Sequence, residues 1–464
     1  MVYDCNTNWQ NMGSRQNTSM EHTDDDHLSQ AAVLKRDLGL FGAMMMGLGS
    51  IIGTGVFVSI GVAAGVTGPS VILAIAIAAV VALCNALSSA QLAANHAVSG
   101  GTYEYGYKYL NPAFGFTAGW MFLCAKTASA ATAALGIAGY LIHSIQGGGS
   151  PALLIGIAVV TTAVLTLTVL TGIRQSNRVN IVIVSLTVIS LLAFVLVGLP
   201  SAREMAGANL RPFFMEGEES GSAWGNLLYA TALMFVAYTG YGRIATLGEE
   251  VKEPRITIPR AIGLTLIVSA LLYMAVGLVA IMAAGVPVLS EATRSDAAPL
   301  DIVSRQFVLP QIHWLVAAGA MTAMLGVLLN LILGLSRVLL AMGRRGDMPV
   351  VLTRLNKART TPYIAVPVVG VAIAGLALTG NIKLAWSFSA FTVLIYYAIT
   401  NLAALRLKKE ERLFSPLFAW GGLASCLFLA FWVDRRIWLA GIGLIAAGYL
   451  WHRIIQNINR RNSR

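Results

Sequence analysis

The chain has 464 residues, 56% of them hydrophobic and only 11% charged, whereas a water-soluble domain carries about 25% charged residues. That balance describes a polytopic membrane protein and excludes dividing the length into globular domains. The net charge of +11 does not point to nucleic acid, because the basic residues lie in short connectors between apolar runs, as membrane topology requires.

Residues 1–34 are polar, rich in Asn, Asp and Ser, and lack the apolar core of a signal peptide. They read as a disordered cytoplasmic tail. A first apolar run, 38–64, is long enough as a helix to rise about 40 Å and cross a bilayer. Its centre reads GLGSIIGTGVF over 47–57, with Gly53, Thr54 and Gly55 where a lipid-facing helix gains nothing from them. Gly49 and Gly53 form a GxxxG, which suits close helix packing. The alternative is an unwound segment, tolerated at membrane depth only where it is buried or lines a cavity. A dinucleotide-binding loop fails on spacing and on the absence of a preceding strand. Farther on, MFVAYTGYGR at 234–243 interrupts a second apolar run, 224–247, again near its middle. Paired interruptions in two halves of a membrane protein point to a transporter binding site, which favours the unwound reading.

Taken in order, the apolar runs predict about twelve spans: 38–64, 71–94, 114–141, 152–170, 179–199, 224–247, 261–284, 312–342, 364–378, 384–405, 413–432 and 437–451. The fold class is therefore an all-α polytopic membrane protein. Its transmembrane domain covers 35–455, and a short C-terminal tail follows at 456–464. If the two interrupted spans correspond, an odd offset inverts the second copy, giving repeats at 38–199 and 224–405 with two extra helices at 413–451. Basic residues concentrate in alternate connectors, from Lys35 and Arg36 through Arg344, Arg345, Lys408 and Lys409 to the Arg-rich end. That asymmetry places both termini in the cytoplasm; a plasma (inner) membrane is the expected location. Segment 98–111, with Gly100, Gly101 and a run of tyrosines, suits a short interfacial element on the cytoplasmic side; 287–310 is an external connector placed to cap an outer vestibule. Cys5, Cys84, Cys124 and Cys426 show no paired spacing, so neither disulfides nor zinc are implied.

GSIIGTGVF at 49–57, SGGTYEYGY at 99–107, FVAYTGYG at 235–242, GEEVKEPRITIPRAI at 248–262 and SRVLLAMGRRGDMP at 336–349 together resemble the amino acid–polyamine–organocation transporters. The resemblance covers nearly everything after residue 35 and implies a leucine-transporter type of five-plus-five inverted repeat, alternating access, and amino acids or related amines as substrates. Three departures stand out. Gln91 replaces a common glutamate in the second span. Thr187 occupies the place of a buried lysine that some members carry in the fifth. Gly242, followed by Arg243, stands where members that handle cations often have an acid.

An amino acid brings a carboxylate and an ammonium. In the first span the segment after the break begins near Thr54 and Gly55, whose amides form a positive helix end suited to the carboxylate. Ile52 and Gly53 complete that segment. In the sixth span the first half ends near Phe235, Ala237 and Tyr238, whose carbonyls suit the ammonium, and Gly240 allows close approach. Phe235 and Tyr238 are candidate lids over the ligand, packing between helices being the alternative. Lys126 falls in the middle of the third span, where a lysine costs at least about 2.5–3.5 kcal/mol and by default marks function or a buried partner. The resemblance sets it where relatives place a tyrosine close to substrate. A desolvated lysine can release its proton near neutral pH, so Lys126 is also a candidate carrier of a coupling proton. Arg243 either lines the pathway or pairs with Glu249 or Glu250 in an inner gate. By the resemblance, Thr187 and Asn330 face the first break, where sodium-coupled relatives hold an ion; a proton is the favoured partner and sodium the minority option. No catalytic triad, paired intramembrane carboxylates or metal-ligand spacing occurs at membrane depth, and no filter-like loop. The reading is thus a transporter with no cofactor, and neither an enzyme nor a channel. No acid falls near the proposed cavity, so the expected substrates are neutral L-amino acids, with acidic ones possible and cationic amino acids or polyamines as the alternative.

Overall fold

The computed structural model describes residues 38–96, 100–146, 149–171, 177–215, 222–245, 251–356 and 361–462. The first apolar run does break. Helix α1 (Leu40–Ile51) ends where Ile52 turns extended, with φ −78° and ψ 103°. A π-turn, Gly55–Ser59, then leads into α2 (Ile60–Thr67). Gly68, at φ +74°, and the proline after it stop α2 and turn the chain into α3 (Val71–Asn95). Short α4 (Thr102–Tyr109) follows Gly101, another residue at positive φ, within the stretch expected to hold a short interfacial segment.

Helix α5 (Pro112–Gln146) runs the full depth of the bundle, followed by α6 (Pro151–Leu170) and α7 (Asn177–Asn209). Ser150 caps α6 by accepting from the Leu153 amide, with Pro151 in the first turn, a strong start signal. The second interrupted run gives α8 (Ala223–Tyr238), a 3-10 turn at Thr239–Tyr241, and one turn of α9 (Gly242–Ala245). Long α10 (Pro254–Ser295) kinks at Gly285, and α11 (Pro299–Ser304) lies between it and α12 (Ile312–Arg344). The chain closes with α13 (Ala365–Ala377), α14 (Ile382–Leu405), α15 (Pro416–Phe431) and α16 (Arg435–Asn462). The last of these continues well past the expected span end at 451.

Eight helical stretches among the described residues are long and apolar enough to cross a bilayer, fewer than the sequence windows suggest. The reasons are local. The turn at Gly68–Ser70 is itself helical, so Leu40–Asn95 runs as one stretch; α8 is cut short at Tyr238; α13 and α15 are apolar but short. Small residues on α5 (Ala130, Ala131, Ala134, Ala138) are fully buried and let α12 and α14 pack closely against it. Apolar side chains such as Val160 and Leu167 on α6 and Leu417 and Phe428 on α15 face outward, as a lipid-facing surface requires.

Candidate substrate site

The two breaks meet. Gly240, in the 3-10 turn, lies so close to α1 that a Cβ there would overlap the Ser50 carbonyl. Only glycine permits backbone to rest on backbone in this way. Tyr273 of α10 spans both breaks: its hydroxyl donates to the Ile51 carbonyl at 2.7 Å and reaches the Ala237 carbonyl at 3.3 Å.

The backbone groups of the two breaks are in different states. Among the described residues, none accepts a hydrogen bond from the amides of Gly53, Thr54 or Gly55, and the Thr54 hydroxyl is buried without a partner. At the sixth-span break the carbonyls are engaged. Leu233 accepts from the Trp386 indole (3.0 Å), Val236 from the Thr239 hydroxyl (2.8 Å), and Thr239 from Tyr397 (3.3 Å).

Lys126 extends from α5 to this junction. Its Nζ donates to Thr239 Oγ1 at 2.9 Å, and among the described residues no carboxylate lies within ion-pair reach of it. An ammonium has three donors, so the site leaves room for an acceptor from elsewhere.

Two cavities converge here. A small one of about 40 Å³ touches Thr54, Gly55, Ala237, Ser129 and Trp386. A large one of about 820 Å³ extends past Arg243, Asn330 and Tyr397 to Gly100, Glu104, Arg344 and Arg345 at one end of the bundle. Ser50, Lys126, Thr239, Gly240, Val327 and Leu331 wall both. At the mouth, Arg345 pairs with Glu104 and stacks over Tyr107, 4.2 Å from its centroid. The buried Asp347 carboxylate accepts from Tyr103 (2.8 Å) and Tyr107 (2.5 Å), with His452 Nδ1 at 3.2 Å. Burial and that carboxylate push both phenols well above the usual tyrosine range.

Of the residues singled out in the sequence, Thr54, Gly55, Ala237, Gly240 and Lys126 wall the small cavity, and Arg243 and Asn330 the large one. Ile52, Gly53, Phe235, Tyr238 and Thr187 wall neither. Ile52 is buried, and a Cβ on Gly53 would sit 2.7 Å from Val327. Of the two roles open to these aromatics, lid or helix packing, the structure shows the packing: Phe235 lies edge-on to Tyr397 (5.7 Å) and Tyr238 against Tyr273 (5.1 Å). Thr187 bonds back to Ile183 in its own helix (2.8 Å), and Asn180, two turns earlier, holds the Met45 carbonyl of α1 at 2.9 Å instead. Glu249 and Glu250 lie outside the described residues, and with them the proposed pairing to Arg243. Sequence reading missed Tyr273, Tyr397, Ser129 and Trp386; a polar or indole group inside an apolar span was the available signal.

Residues 42–453 match the amino acid permease family. The chain belongs to that family. It is a multi-pass integral membrane protein and a secondary transporter of amino acids, not an enzyme. This permease is 39% identical to an uncharacterized transporter of Mycobacterium tuberculosis, across 92% of its own length and 93% of the relative's. It is 28% identical to the branched-chain amino acid permease BcaP of Bacillus subtilis, across 92% and 95%. Its fold is shared with the solved structure of MhsT in complex with L-phenylalanine, at a TM-score of 0.60 and 16% identity, covering 89% of this chain and 98% of that one. The all-α, leucine-transporter-type architecture follows from that likeness.

Proposed function

We propose that this permease carries zwitterionic, neutral L-amino acids by alternating access, coupled to a proton or to exchange. The observation that supports this most is Lys126: a cation at the wall shared by both cavities, with no carboxylate facing it among the described residues. A substrate with a second positive charge would meet it in a medium that screens poorly. The substrate carboxylate goes to the open amides of Thr54 and Gly55, and its ammonium to the Ala237 and Thr239 carbonyls, displacing their long 3.3 Å bonds to tyrosines. Lys126 is the proton carrier on this reading, and Arg243, Asn330 and Glu249 line or gate the path inward; sodium stays the minority partner. BcaP, by its name, takes branched-chain amino acids, and MhsT was solved with L-phenylalanine; both are neutral ligands.

The same reading assigns about twelve spans in two inverted sets of five plus two, with both termini cytoplasmic. The basic mouth at Arg344 and Arg345 then opens to the cytoplasm. A thermal-shift screen of purified protein against the common amino acids and polyamines tests the substrate, since stabilisation grows with ligand concentration over Kd. Neutral amino acids are expected to stabilise; stabilisation by lysine, arginine or polyamines alone replaces this reading with the cationic one. Cysteine tags at Ser29 and Ser463 shielded from an impermeant external reagent, with one at Ser290 reactive, are the expected topology.

A further inference from the structure

The end of the bundle opposite the cavity mouth holds a second polar cluster, unrelated to substrate contact. His143 lies about 25 Å along α5 from Lys126, and His313 about 45 Å along α12 from Arg344. Between them Asp301, on α11, is completely buried. Its carboxylate takes Arg305 Nε at 3.1 Å and faces His313 Nδ1 at 3.1 Å and His143 Nε2 at 3.6 Å. Arg305 also donates to the His143 carbonyl at 3.0 Å. One turn back on α5, the Tyr140 hydroxyl donates to the Phe57 carbonyl at 2.8 Å and accepts from the Leu300 amide at 3.3 Å. Phe57 belongs to the π-turn that follows the first break. One carboxylate and one phenol therefore fasten α11, the end of α5 and the start of α12 to the outer half of the first broken helix.

A buried carboxylate is costly unless its partners stay in place, and removing one partner leaves it uncompensated. Such a cluster holds one packed arrangement and opens as a unit. The layer it fastens, with Phe57, Tyr140 and Leu300 all buried, fills the space between the small cavity and this end of the molecule. Access from this end requires α11 to lift from α5 and the π-turn.

We propose that Asp301 is the gating residue of the closed end: its carboxylate latches α11 over the first broken helix while the mouth is open, and release of the latch accompanies closure of the mouth. This rests on the alternating-access reading above. The test uses the full chain in proteoliposomes with its native cysteines replaced by serine and one reporter cysteine at a time. Gly334→Cys lies on the large cavity in open space; Ser144→Cys is buried beside His143. With Asp301 intact, the first reporter is expected to react with a maleimide and the second to be protected. Free reaction of both would sink alternating access itself. Asp301→Asn is expected to slow the first and speed the second, changing their ratio about tenfold or more. An unchanged ratio in folded Asp301→Asn, or faster reaction of both reporters, overturns the latch, the latter because it reports loosened packing only. Should Asp301→Asn fail to fold, Arg305→Gln and His313→Gln each remove one partner and must shift the ratio in the same direction, or the latch is refuted.

Discussion

The two helix breaks face each other but are built differently. The first unwinds into an extended residue, Ile52, and resumes through a π-turn, leaving the Thr54 and Gly55 amides without protein acceptors among the described residues. The second ends α8 in a 3-10 turn, and the carbonyls leading into it, of Leu233, Val236, Ala237 and Thr239, are already held by Trp386, Thr239, Tyr273 and Tyr397. An unpaired amide is waiting for an anion; an occupied carbonyl must exchange one donor for another. On the proposed binding mode the carboxylate end costs little, while the ammonium competes with tyrosine hydroxyls. Net hydrogen-bond exchange of that kind is worth only about 0.5–1.5 kcal/mol.

Breaking the open side should have the largest effect. A side chain on Gly55 would meet the Tyr273 hydroxyl at 2.7 Å and the Ala237 Cβ at 2.8 Å, so Gly55→Leu is expected to abolish uptake in a variant that still inserts; normal uptake would end the case for the first break. Next comes the charge between the breaks. Lys126→Met should lower neutral amino acid uptake by about tenfold or more and flatten its pH dependence, because the shared wall loses the one cation it has among the described residues. Counterflow measured across pH checks both, and an unchanged profile removes Lys126 from coupling. A smaller effect is expected from Tyr273→Phe, which frees the Ile51 and Ala237 carbonyls. Substrate affinity should change by a few-fold to about tenfold with insertion intact, measured by binding in detergent. Smallest is Thr54→Val. Removing a buried hydroxyl without a partner should raise the thermal midpoint slightly, by about 1 kcal/mol of stability or less, while weakening binding only if substrate uses that hydroxyl.

How much of this was legible beforehand depended on whether a signal was local. Glycines in the middle of an apolar run declare a break wherever they occur, and a lysine at mid-membrane is conspicuous on energetic grounds alone. Gly55, Gly240 and Lys126 were therefore within reach. Thr187 was placed by counting along the fifth span; its hydroxyl bonds back to Ile183 in its own helix, and the side-chain bond from this helix to α1 is made two turns earlier, by Asn180 to the Met45 carbonyl. Phe235 and Tyr238 were near the break in sequence, but successive helical residues turn by about 100°: Val236 and Ala237 reach the small cavity, while Phe235 and Tyr238 pack against Tyr397 and Tyr273. Asp301 was invisible for a different reason. Its partners are separated from it by as much as the interval from 143 to 301, and the connector carrying it offered no chemistry until folding brought both histidines to it.

Nothing but backbone separates Gly240 from Ser50. Surfaces that touch through side chains have give, since methylenes rotate and rotamers change; a peptide resting on a carbonyl has none. Mechanically, that contact is a fulcrum and not a spring. Any rocking of α8 and α9 against α1 about it trades clearance at one end of the bundle for clearance at the other. The bearing point of a see-saw is the part that stays still while both arms travel.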